Sequence, residues 1–158
     1  MKERKKSTRS TTATDTTSAR WTDEELGAMK QRNRELKAAG RRGSRADAAD
    51  QETEVLAKIA EMSASDRVMA EWVHAIVKAS APALSPTTWY GMPAYARGGK
   101  IICHFQPAQK FKTRYATLGF SDAANLDDGA LWPVAYALPA RSAAGEAAIS
   151  ALVKKAVG

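Results

Sequence analysis

Few residues in this chain have both the type and the spacing for chemistry, and most lie in its second half. Cys103 and His104 are the tightest pair of metal-ligating types. Successive side chains of a strand point to opposite faces, so these neighbours cannot share one ion. His74 falls between Val73 and Ile76 at helical spacing, the setting of a partly buried structural histidine. Asp122, Asp127 and Asp128 share one loop and are hard oxygen ligands, although Asp-Asp-Gly is also ordinary turn chemistry. Covalent catalysis needs a nucleophile, a base and a group to orient it. Two histidines in unrelated elements, no serine elbow and no glycine-rich loop before a helix assemble no such set, so an enzyme is not expected.

Aromatic residues are the other candidates. Trp89, Tyr90, Tyr95, Phe105, Phe111, Tyr115 and Trp132 fall in one region, with Lys110, Lys112 and Arg114 interleaved. Alternating aromatics mostly build sheet core. Those left at an edge form an apolar pocket with a cationic rim, suited to a small anion or a peptide carboxylate. Trp89, Tyr95, Lys112 and Tyr115 are the residues expected in such a concavity.

The elements that must position these groups can be read from periodicity. Residues 1–19 carry almost nothing apolar and read as a disordered basic tail. Residues 20–49 read as a basic amphipathic helix and a linker. Thr22 and Glu25 form a capping box, Gly40 is the stop, and a sparse stripe of Leu26, Met29 and Leu36 implies weak anchoring, with 41–49 as the linker. Helical spacing recurs over 50–62 and 65–80, where Val68, Met69, Trp72, Val73, Ile76 and Val77 share a face. Pro82 and Pro86 end the helical register. Short strands follow at 92–96 and 100–106, joined by a tight turn at Gly98-Gly99, then strands at 113–120 and 131–138 and a closing helix at 142–157. Helices first, strands next and a last helix imply an α+β domain over 50–158, with an antiparallel sheet of four to five strands against helices.

Several motifs in that domain occur together: Trp89 ahead of Gly91-Met92-Pro93-Ala94-Tyr95, the Gly98-Gly99-Lys100 hairpin, a strand ending in His104-Phe105, Leu118-Gly119-Phe120, and an acidic glycine turn into Leu131-Trp132-Pro133. Over residues 54–158 the chain resembles the YdhG-like family, small bacterial domains of unknown function that include a frataxin-like intracellular iron chaperone. The resemblance implies a frataxin-like α+β fold and weak binding of iron for delivery to acceptor proteins, with no tightly bound cofactor expected. The Asp122, Asp127 and Asp128 loop is then the expected iron site.

Charge and compartment bound the remaining readings. The chain carries a net +7, but residues 1–45 hold 13 Lys and Arg against 6 Asp and Glu, while residues 46–158 hold 11 of each. A basic groove in the domain is therefore not expected, and nucleic acid is a partner only through residues 1–45. No apolar run approaches the roughly 20 residues of a membrane span, and no secretory signal is visible. A single cysteine suits a reducing compartment, so a bacterial cytoplasm is the expected location.

Overall fold

The computed structural model describes residues 21–39 and 46–158. The expected tail at 1–19 and the start of the linker lie outside the described residues. The chain runs α1 (Asp23–Ala39), α2 (Ala46–Ala60), α3 (Ala64–Ser80), β1 (Ser85–Trp89), β2 (Met92–Arg97), β3 (Lys100–Gln106), β4 (Ala116–Phe120), β5 (Ala135–Leu138) and α4 (Ala143–Val157). The five strands form one antiparallel meander in chain order. This is the α+β class the periodicity implied. Among the described residues no helix is long and apolar enough to cross a membrane.

Strand pleating sorts the side chains between two faces. Across the sheet Tyr95 pairs with Cys103 and Cys103 with Phe120, while Phe105 pairs with Leu118. All five are buried in one core with Val55 and Ile59 of α2, Val73, Ile76 and Val77 of α3, and Ile149 and Val153 of α4. Three helices thus cover this face. The opposite face carries the row Ala94, His104, Gly119 and Ala135. Burying Cys103 within the core pushes its thiol up to about 12, so it stays protonated and inert.

Buried polar groups lock the layers together. Asp66, in the first turn of α3, accepts hydrogen bonds from the backbone amides of Ala108 (3.0 Å) and Gln109 (2.9 Å), tying the β3–β4 connector to the helix. The Tyr95 hydroxyl and His74 Nδ1 lie 3.0 Å apart, and His74 Nε2 faces Glu52 Oε1 at 3.4 Å. Burial raises the phenol far above its ordinary range and lowers the imidazole. A neutral imidazole between a phenol donor and a carboxylate accepts at Nδ1 and keeps its proton on Nε2. Helices α2 and α3 and strand β2 therefore meet through a proton-specific chain.

Several boundaries differ from the expected ones. Helix α2 starts at Ala46, so part of the expected linker is helical. The strands expected at 113–120 and 131–138 shorten to β4 and β5: the Thr113 amide still closes the preceding turn onto Ala108, 114–115 form a bend, and 131–134 are coil. Strand β1 was hidden by Pro86, whose missing N–H is tolerated on an edge strand. Val68 is exposed, and Ala70 and Asp66 are buried in its stead.

The Gly98-Gly99 turn is as expected: Arg97 pairs with Lys100, and the glycines take φ of 58° and 78°. A Cβ at either would meet open space, so the constraint is backbone strain alone. Replacing both with valine should cost about 2 kcal/mol or more, at roughly 1–2 kcal/mol per left-handed residue. Urea denaturation checks this; a midpoint equal to wild type would show that the turn does not need glycine.

Candidate functional site

The β1–β2 turn is the point where candidate binding groups converge. Trp89 pairs with Met92 and leaves Tyr90-Gly91 as a two-residue loop with φ of 52° and 75°. Both values are positive, as the hairpin type that matches strand twist requires. Tyr90 is a costly residue there, and the strain is held by a carboxylate. Glu35 of α1 accepts from the amides of Tyr90 (3.1 Å) and Gly91 (3.0 Å). On the other side Lys110 Nζ stands 3.5 Å from the Gly91 carbonyl oxygen. A Cβ at Gly91 would come within 2.7 Å of that ammonium, which a flexible lysine can yield, so the need for glycine here is its φ.

Aromatic and cationic groups gather around this turn. The Trp89 ring meets Tyr90 edge-on at 4.9 Å and His104 at 4.9 Å, and the Arg32 guanidinium sits 5.8 Å from the Tyr90 ring centre. Gly119 lies beside His104 in the sheet, and a Cβ there would overlap the imidazole, 2.8 Å from Nε2. The His104 ring can lie flat against the sheet only because β4 has a glycine at that point. Burial lowers the His104 pKa, so the ring is neutral at pH 7. Among the described residues none hydrogen-bonds this imidazole, and neither nitrogen is a buried unsatisfied atom, so its polar edge reaches solvent. A cavity of about 300 Å³ beside Gly91 is lined by Lys58, Met62, Ser63, Asp66, Gln109 and Lys110. Desolvation, and then repulsion from Lys58, lowers the Lys110 pKa.

The four expected ligand residues separate. Trp89 belongs to this surface. Tyr95 does not: it is fully buried in the core, held by His74, because its place in the β2 alternation faces the helices. Lys112 is exposed on the connector and pairs with Glu24 of α1 at 2.7 Å, which raises its pKa. Tyr115 stacks with Arg114 at 5.3 Å. His104, Gly119, Arg32 and Glu35 join the surface instead. The Trp89–His104 contact crosses strands β1 and β3, so no local spacing announces it. Asp122, Asp127 and Asp128 are all exposed, and among the described residues no group of three or more His, Cys, Asp or Glu is placed to hold a metal ion. Cys103 and His104 face opposite sides of the sheet as expected. Comparison with family models, with curated proteins and with solved structures finds no match to this chain.

Two predictions follow from this geometry. Glu35→Ala removes an acceptor shared by two strained-turn amides and should cost about 2 kcal/mol, within the range for hydrogen bonds to charged groups. Hydrogen exchange at Tyr90 and Gly91 should accelerate with it; unchanged protection would mean the turn holds without α1. The second concerns pH. The native pKa values of His74 and His104 lie below the unfolded value of about 6.5, so the unfolded state takes up protons first and stability falls as pH drops below that value. Melting between pH 7.5 and 5.5 should show this loss, and His104→Asn should shrink it; a flat profile in wild type would contradict both assignments.

Proposed function

We propose that this protein is a non-catalytic binding module that takes up a small ligand with a flat apolar body and one anionic group at the Trp89–His104 surface. The single observation that carries the reading is the His104 imidazole: neutral, laid over Gly119, tilted against the Trp89 ring, and without a hydrogen-bond partner among the described residues. Trp89 is half-buried, and an indole takes a flat ligand by ring contact, while the neutral imidazole offers one directional hydrogen bond. Lys110 flanks the turn and, with Arg32, which also pairs with Glu35 at 3.5 Å, supplies positive charge for an anionic group. Few polar groups beside an apolar wall is the usual composition of a small-molecule site.

Iron binding and delivery is the other reading, and it rests on the resemblance to the YdhG-like family. One titration separates them. Isotope-labelled protein is titrated with indole-3-carboxylate and, anaerobically, with ferrous iron, following the Trp89 indole, the His104 ring and the 122–128 amides by NMR. The expected result is saturable shifts at Trp89 and His104 with the carboxylate probe, abolished by Trp89→Ala. Paramagnetic broadening confined to residues 122–128, with no response to the probe, would overturn the aromatic reading in favour of iron.

A further inference from the structure

Helix α1 docks on the domain by its polar side and turns its apolar stripe to solvent. Glu24, Arg32 and Glu35 make the contacts to Lys112, Tyr90 and Gly91, and Ala28 is buried among them on the helix surface. The apolar residues expected to anchor it are exposed: Leu26 by 41%, Met29 by 42% and Leu36 by 53%. With Leu26 as position a of a heptad, Met29 and Leu36 fall at d and Asn33 at the second a. In the same frame Glu24, Ala28, Gln31 and Glu35 fall at f and c, the outer side of a coiled coil. Docking to the domain runs along f and c and pairing through a and d uses the other side of the helix, with Leu36 at the border, where it also lines a cleft with Arg32, Gln51 and Ser85.

We infer that the exposed face of α1 is a self-association surface, on which α1 of a second copy of this chain packs in parallel and in register. Two features select this occupant. Asn33 stands alone among apolar a and d residues, and a lone a-position asparagine is satisfied by its own counterpart across a parallel pair. An antiparallel pair would set it against Met29 and leave its amide unpaired. Charge agrees: Glu25 at g faces Lys30 at e of the second helix, twice by symmetry. The one like-charge g–e combination, Arg32 with Lys37, is relieved because Arg32 is turned onto Glu35 of its own chain at 3.5 Å and onto Tyr90. Helix α1 is only 17 residues long, so four layers form and the interface lies at the small end, below about 1,200 Å². Association should be weak and concentration-dependent.

Sedimentation of the full chain from about 10 μM to 1 mM spans the range where so small an interface would assemble. The expected result is a mass rising toward twice the monomer, abolished by Leu26→Lys with Leu36→Lys and strengthened by Asn33→Val. The stripe is exposed, so the lysine variant should melt like wild type. Register is read separately: Met29→Cys should form an intermolecular disulfide on oxidation and Arg34→Cys, at the outer b position, should not, with Cys103 silent in the core. A chain that stays monomeric throughout, or a dimer indifferent to the lysine substitutions, would overturn the inference. Equal cross-linking at 29 and 34 would overturn the parallel register.

Discussion

The Glu35 carboxylate, bonded to two consecutive amides of a two-residue turn, is the interaction on which the candidate site depends. Tyr90 and Gly91 both need positive φ, and a tyrosine adopts it only at a cost. The carboxylate offsets that cost and at the same time anchors α1 to the sheet edge at this turn. Removing the helix would expose two strained amides and release Arg32 from the Tyr90 ring. Fold, turn geometry and site composition are thus one problem at this position.

The sheet divides its labour by face. One side is committed to the core, where Tyr95, Cys103, Phe105, Leu118 and Phe120 meet three helices and their polar atoms are either satisfied or protonated. On the other side one cross-strand row sets small residues around a large one: Ala94 and Gly119 flank His104. A histidine in that row would be crowded by any β-branched neighbour. The glycine at 119 therefore has a spatial reason independent of backbone conformation, since its φ is not in the left-handed region.

The two histidines illustrate how environment assigns roles to the same residue type. Both are lowered by burial, yet His74 is closed between Tyr95 and Glu52 and joins three elements, whereas His104 lies against the Trp89 ring and Gly119 with no hydrogen-bond partner among the described residues. The first is a structural link, and the second is the group on which the proposed binding rests. Their neighbours in the sequence, apolar in both cases, do not distinguish them.

Much of the fold was legible in the sequence because its determinants are local. The capping box is one such case: the Thr22 amide donates to Glu25 at 2.7 Å and the Glu25 amide to Thr22 at 3.2 Å. The Gly98-Gly99 hairpin and the alternation of Cys103 and His104 are likewise settled within a few residues. What lay beyond reach was set by residues far apart in the chain. Tyr95 read as a surface aromatic because its partners, His74 and Cys103, come from another helix and another strand. The stripe of Leu26, Met29 and Leu36 read correctly as one face, but periodicity reports only that apolar residues share a side. Which side meets the domain was decided by Glu35 finding the Tyr90 and Gly91 amides 55 and 56 positions away, a pairing that exists only once the sheet has formed.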